Sequence, residues 1–461
     1  MQAEAIAKLS ANIRGYVIGP DSSEYEAARK VYNAMINRRP AAIVRCTNVE
    51  DVIAAVNFAR QERLTVAIRG GGHNGAGFGI CDDGLVLDLS VMKGVTVDPA
   101  SRTVRVAPGC TQGDVDQATH SFGLAVPAGI VSTTGIAGLT LGGGHGYLTR
   151  KYGLTIDNLI EADVVLSDGT FVTANVSRYK DLFWALRGGG GNFGVVTSFI
   201  YQAHPVSTVY AGPIFWDAKD ARPVMQWYRD FLMRAPLELC PFLGLKTVPS
   251  TNPFPKEHWG KRICALICCY SGPLEHAEEV VKPIRQELPP PILDWIGPMP
   301  FPAIQSLFDP LLPKGLQWYW KGDFVKELSD QAIDRHLEFA AEAPSALSLM
   351  HLYPIDGAVH HVGRTETAWG FRDATWSMVI AGIDPEPAKA EALTTWAKEY
   401  WEAVHPYTLG GAYINFMMDE GSDRIKATYR DNYDRLLEIK RKYDPTNFFR
   451  INQNIVQRNA I

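Results

Sequence analysis

The chain has 461 residues, 46% of them apolar, and 45 lysines and arginines against 50 aspartates and glutamates give it a net charge of −5. That length exceeds one ordinary core and predicts two domains. The acidic balance offers no electrostatic attraction to nucleic acid or to an anionic membrane, which leaves small neutral or cationic molecules as the expected partners.

The start, MQAEAIAKLSANIRG, alternates charged and apolar residues at a helical period and holds no unbroken apolar core, so it reads as neither signal peptide nor membrane anchor. No apolar run of about 18 residues occurs anywhere, and no membrane span is expected. Ser22 and Ser23 can cap a helix running to about Asn37, with Arg38-Arg39-Pro40 ending it before a strand over 42–46. Thr47 and Glu50 have the spacing of a capping box, and the next helix puts Val52, Ile53, Val56, Phe58 and Ala59 mostly on one face.

Then comes a strand (Val66, Ala67, Ile68), a loop with six glycines among residues 70–79, and a second strand over 85–89. Such a loop exposes successive backbone N–H groups, the geometry an anionic diphosphate needs. Gly70, Gly72 and Gly75 satisfy G-x-G-x-x-G, and Asp88 lies near the distance of a ribose-binding acid. The dinucleotide motif requires a helix at its third glycine, however, and Asn74 to Gly84 is too rich in breakers to start one.

Strands are predicted over 95–97 and 103–107 about a Pro99-Ala100-Ser101 turn, then a helix from Asp114 to Phe122 closed by Gly123. Residues 127–158 carry too many glycines for an amphipathic helix. A third cluster, RGGGGNFG over 187–194, follows a short helix over 180–186. Three clusters with apolar strands between them point to a dinucleotide-sized cofactor rather than to three independent tight turns. The stretch from 206 to about 405 has more Trp, Tyr and Pro, with strand character over 263–270 and 377–381, and Trp318, Tyr319 and Trp320 are expected to face mostly core. Seven cysteines, odd in number and without repeated spacing, describe neither a disulfide framework nor a zinc site, so we expect no metal and a reducing, cytoplasmic compartment.

Arg69-Gly70-Gly71-Gly72-His73-Asn74 resembles the R-[SG]-G-G-H motif of FAD-linked oxidases of the vanillyl-alcohol oxidase and p-cresol methylhydroxylase superfamily, with the berberine-bridge-enzyme-like branch nearest. Further markers recur in order: Pro127-Ala128-Gly129, Gly142-Gly143-Gly144 with Tyr152-Gly153-Leu154 and Asp157-Asn158, Arg187-Gly188 to Val196, Tyr443 to Asn447, and Asn452-Gln453-Asn454. The resemblance implies an α+β protein. Its FAD-binding domain, of two α/β subdomains, would take residues 1–205 and a returning segment 411–461, and its substrate domain, an antiparallel sheet backed by helices, residues 206–410.

It also implies extended FAD contacted by Arg69, Gly70, Gly71, Gly72, Asn74, Gly77, Phe78 and Gly79 from the first cluster. From the second it implies Pro127, Gly129, Thr133, Thr134, Gly135, Gly138, Leu139, Gly143, Gly144, Gly146 and Asn158, and further on Val196, Asn452 and Asn454. The histidine matching His73 is bonded covalently to the flavin in this family. Many members add a bond from a cysteine, but the matching position here is Val131, so attachment through His73 alone is expected.

Two of the family's tyrosines correspond to Tyr413 and Phe416, and the second, catalytic in several members, is absent here. Tyr413 and His360 are the remaining candidates for catalysis, His360 because Asp356 to His360 resembles a substrate-contacting segment. Thr134 stands where the family admits or excludes oxygen and has valine's volume, which favours an oxidase releasing H2O2 from a small-molecule substrate and O2. A dehydrogenase passing electrons to another acceptor, and a flavin-binding protein without turnover, are the alternatives. Oligomeric state is not legible.

Overall fold

A computed structural model describes residues 3–456. Three sheets organise it. In the first, Tyr16–Ile18, Ala42–Arg45, Leu85–Asp88 and Val66–Arg69 lie side by side in that order, the last three parallel. The parallel strands are buried on both faces, as their unbroken apolar runs require. The helix Val49–Gln61 covers one side of this sheet with Val52, Ala55, Val56 and Ala59.

The second sheet is antiparallel, in the order Val95–Asp98, Thr103–Val106, Val195–Gln202, Leu159–Val165, Phe171–Asn175. The third is an eight-stranded antiparallel sheet whose centre runs Thr208–Asp217, Arg262–Tyr270, Leu239–Thr247, Leu349–Pro354, Trp376–Asp384, Gln317–Val325. Alternation along these strands gives it two apolar faces. One is sealed by Ala221–Leu232, Ala277–Gln286, Asp330–Ala341 and Ala390–Val404; the other packs toward the glycine-rich half of the chain through Phe242, Trp318, Trp320 and Tyr353.

The C-terminal segment returns to the first half. Buried Lys440, at the end of the helix Tyr433–Tyr443, donates to the Asn192 and Phe449 carbonyls and to Asp444, each at 2.7 to 2.8 Å. Asn192 in turn donates to the Gln453 carbonyl and accepts from the Ile455 N–H.

Four local expectations are corrected. The helix foreseen over 22–37 is one turn, Tyr25–Ala28, because Asn33 is drawn away to bond the Gly75 and Trp318 carbonyls. The cap at residue 47 moves one residue on: Asn48 accepts from the Asp51 N–H, and Asp51, not Glu50, accepts back from Thr47. The helix placed at 114–122 spans Gln112–His120, with Thr111 and Asp114 as its capping box. A helix also forms inside the glycine-rich stretch, Ile136–Gly142, because Ile136, Ala137, Leu139 and Thr140 are buried and tertiary packing outweighs the glycine penalty.

Candidate active site

One cavity runs between the first two sheets, lined by the glycine-rich loops that join their strands, and under the third. At one end its walls are Val66, Ile68, Leu89, Val196 and Phe449, with Gly190, Gly191 and Gly194; at the other they are Trp318, Trp320, Leu349, His351, Tyr353, Val379, Tyr413 and Phe416. The loop with six glycines spans the middle. Gly71 abuts Gly135 so closely that a Cβ on Gly71 would sit 2.5 Å from the Gly135 nitrogen, so the first two clusters meet backbone to backbone.

The walls fit a dinucleotide. Gly138, on the helix Ile136–Gly142, lines the cavity and has no protein atom within 4 Å of where its Cβ would be, and Gly191 is alike. A helical glycine costs about 1 kcal/mol against alanine, so an open one on the cavity wall leaves room for something that is not protein. Arg69 is 6% exposed, pairs with buried Asp88 at 2.8 Å through Nη2, and has no partner at Nη1. Its position among the glycine N–H groups suits an anion.

His73 lies where the two halves of the cavity join. Its ring stacks on Tyr32 at 4.0 Å and 19°, and its Nε2 is 3.3 Å from Thr133 Oγ1. Tyr32 is fixed by a 2.7 Å bond from its hydroxyl to the Leu312 carbonyl. Desolvation pushes the His73 pKa down to about 4, so the imidazole is unprotonated near neutrality. Val131 lines the cavity and none of the seven cysteines does.

Of the residues singled out from sequence, Arg69, Gly70, Gly71, Gly72, His73, Asn74, Phe78, Gly79, Gly129, Thr134, Gly135, Gly138, Leu139, Val196, Tyr413 and Asn452 line this cavity. Thr133 stands behind His73. Gly77, Pro127, Gly143, Gly144, Gly146, Asn158 and Asn454 are not among its walls. Gly143, at φ +130°, lets Trp369 pack against the backbone, where a Cβ would lie 2.4 Å from the indole. Asn158 donates to the Tyr152 and Leu154 carbonyls, and Asn454 lines a separate surface pocket. His360 is exposed, bonds the Ala374 carbonyl at 2.8 Å and does not reach the cavity.

Tyr413 is buried in the cavity wall. Its oxygen accepts from the Gly144 N–H at 3.1 Å and from Asn415 Nδ2 at 2.7 Å, which leaves its own proton to donate. Burial pushes its pKa up to about 12, so it stays protonated near neutrality. Phe416 packs edge-on against it at 4.9 Å.

Sequence reasoning passed over His145, Tyr353 and His351. His145, set between Gly144 and Gly146, shares a 3.1 Å bond with Ser377 through Nε2, has no partner at Nδ1 and is held neutral by burial, its pKa lowered to about 3. Its place inside a glycine run was the available signal. Trp318 and Trp320, expected to be core, are buried yet form cavity wall, while Tyr319 faces the helices. Among the described residues no cluster of metal-ligating side chains occurs, and no helix is long and apolar enough to cross a membrane.

A cavity with glycine-rich loops along its middle and an aromatic pocket at one end fits a flavin-dependent oxidoreductase. The chain matches the FAD binding domain family over residues 40–175 and the berberine and berberine-like family over 412–456. It is 33% identical to a FAD-linked oxidoreductase of Dictyostelium discoideum, over 96% of this chain and 95% of that one. It is 28% identical to (R)-6-hydroxynicotine oxidase of Paenarthrobacter nicotinovorans, over 96% and 97%. The solved structure of Physcomitrella patens BBE-like 1 aligns with a TM-score of 0.87 at 27% identity, over 99% of this chain and 100% of that one. The protein belongs to the FAD-linked oxidoreductases of the berberine-bridge-enzyme-like family: it is an enzyme, and its cofactor is FAD.

Proposed function

We propose that the protein oxidises a small organic molecule, an alcohol, sugar or amine, with FAD attached through His73 alone and O2 as final acceptor, releasing H2O2. Residues 1–205 and 411–461 then act as the FAD-binding domain and 206–410 as the substrate domain. The observation that carries the reading is the His73 imidazole, lining the cavity and stacked on Tyr32 beside the glycine loop, with no cysteine on any wall.

Bound FAD supplies the acceptor for a hydride from the substrate carbon. Arg69, through its free Nη1, and the backbone N–H groups of the glycine loop hold the diphosphate. Tyr32 stacks on His73 and fixes its ring. Tyr413, its oxygen satisfied by Gly144 and Asn415, keeps its proton and donates a hydrogen bond to the substrate's oxygen or nitrogen, which orients the reacting carbon. Trp318, Trp320, Leu349 and Val379 exclude water from that end. Thr134 leaves access for oxygen. His360 takes no part, being outside the cavity.

The attachment is tested by acid precipitation and peptide mapping. Yellow colour on the peptide containing His73, and on none containing Val131, is expected; colour left in the supernatant refutes it. The reaction is tested by mixing the anaerobic holoenzyme with benzyl alcohol, glucose and benzylamine. Bleaching by at least one, reversed by air with H2O2 formed, is expected. Bleaching that persists in air makes it a dehydrogenase, and a spectrum that stays oxidised throughout makes it a binding protein.

A further inference from the structure

The pocket lacks an obvious proton acceptor: Phe416 has no hydroxyl, and Tyr413 is placed to donate. On the strand Leu349–Pro354, however, Tyr353 and His351 both line the cavity, and the Tyr353 hydroxyl lies 2.7 Å from His351 Nδ1. The Tyr353 ring is 5.7 Å from Phe416 and 5.2 Å from His145, so its hydroxyl belongs to the same end of the pocket as Tyr413.

His351 is 2% exposed, and its Nε2 has no hydrogen-bond partner. Room for it is made by Gly244, its register partner on the neighbouring strand, where a Cβ would come 2.9 Å from the ring. Two residues further along that strand, on the same face, is Lys246. Among the described residues Lys246 has no hydrogen-bond or ion-pair partner; it is half-buried, and its ammonium lies 5.9 Å from the Phe308 ring. Burial lowers Lys246 to about 8 and His351, beside it, to about 3. Other titratable groups facing this chain of residues are His145, Tyr413 and Tyr147, and burial holds all three uncharged near neutrality.

We propose that Tyr353, His351 and Lys246 form the proton exit of the pocket, replacing the hydroxyl that Phe416 lacks. The inference rests on the oxidoreductase reading above. As the substrate's carbon gives up hydride to the cofactor, its O–H or N–H proton passes to the Tyr353 oxygen. The Tyr353 proton moves to His351 Nδ1, and the Nε2 proton of His351, which has no direct partner, crosses by an intervening water to the neutral amine of Lys246, whose part-buried ammonium returns it to solvent; a half-turn of the imidazole then restores its starting tautomer. One hydride and one proton leave the substrate, and Tyr353 ends protonated as it began. An alcohol is the substrate class this exit serves best, since its O–H must be deprotonated as the carbonyl forms.

The test is the anaerobic rate of flavin reduction from pH 6 to 9, in holoenzyme, with whichever of benzyl alcohol, glucose and benzylamine bleaches the wild type. Tyr353→Phe is expected to slow reduction by about 100-fold or more, the scale of a lost general base, with substrate affinity little changed. His351→Gln should slow it comparably. The wild-type rate is expected to rise through pH 8 and the Lys246→Met rate to stay level, a difference that a packing role would not produce. A Tyr353→Phe or His351→Gln holoenzyme that reduces at the wild-type rate, or a Lys246→Met enzyme that keeps the rise, overturns the proposal. If no compound bleaches the wild type, the oxidoreductase reading falls and the exit with it; if the wild type bleaches and the variants match it, only the exit falls. Should Tyr353→Phe fail to fold, the other two variants decide.

Discussion

Asp116→Asn tests how the two domains are held together at the seam beside the cavity. Asp116, on the helix Gln112–His120, is 2% exposed and accepts at Oδ2 from Gln305 Nε2, at 3.2 Å, on the helix Phe301–Gln305. Gln112 Nε2 donates to the Gly129 carbonyl, whose loop lines the cavity. Asp116 Oδ1, Gln112 Oε1 and Gln305 Oε1 are all buried acceptors without a donor. A proton on Asp116 is the donor this cluster lacks, and burial accordingly raises its pKa to about 8, with Asp309 adding to the effect. The folded state therefore binds a proton that the unfolded chain releases near pH 4. The stability this contributes is complete below pH 4 and is lost as pH rises through 8, at roughly 1.4 kcal/mol per pH unit.

Asparagine cannot ionise and brings its own N–H donors to the cluster. Between pH 5 and pH 7 the stability of Asp116→Asn relative to wild type should thus rise by about 3 kcal/mol. Unfolding entropy scales at roughly 2 cal/mol/K per residue, so for a chain of this length that is about 3 °C in relative Tm. Thermal unfolding of holoenzyme, followed by tryptophan fluorescence at pH 5, 6 and 7, measures it. A difference that is constant across that range, or that shrinks, refutes the protonated seam.

Arg69→Leu leaves Asp88 charged and buried, and should cost about 3 to 5 kcal/mol and yield colourless protein; Arg69→Leu with Asp88→Leu should recover the melting temperature but not the flavin. Gly135→Ala puts a Cβ 2.3 Å from the Gly71 nitrogen, so the cradle must open, and the ratio of flavin to protein after purification should fall. Tyr413→Phe removes the donor and should lower the rate of flavin reduction by about 100-fold with the absorbance of bound FAD retained. His360→Ala should reduce flavin at the wild-type rate, because its side chain is outside the cavity.

What could be read in advance was whatever local chemistry dictates. Arg69 to Gly79 declared its backbone-lined loop because six glycines in ten residues have few other uses, and Val131 excluded a thioether by its side chain alone. The strands 263–270 and 377–381 followed from runs of β-branched and apolar residues, and both formed, slightly extended, as Arg262–Tyr270 and Trp376–Asp384. The helix over 22–37 failed for the opposite reason. Asn33 and Tyr32 are held by the Trp318 and Leu312 carbonyls, some 280 residues away, and no local pattern announces such partners.

The same limit separates cofactor from substrate chemistry in this chain. A cradle for a diphosphate is built from consecutive main-chain N–H groups, so it is written in one stretch of sequence. The pocket's polar groups come from three separate places: His145 in a glycine run, Tyr353 and His351 on one strand, and Tyr413 near the C-terminus. Leu349, His351 and Tyr353 share one face of a strand buried on both, and what turns that face into chemistry is Gly244 across the ladder, which clears the space that His351 fills. A glycine in the middle of a strand is costly there, and it is tolerated where another group must come close. The position of a strand glycine relative to its cross-strand partner is therefore the signal by which the substrate side of such an enzyme can be found.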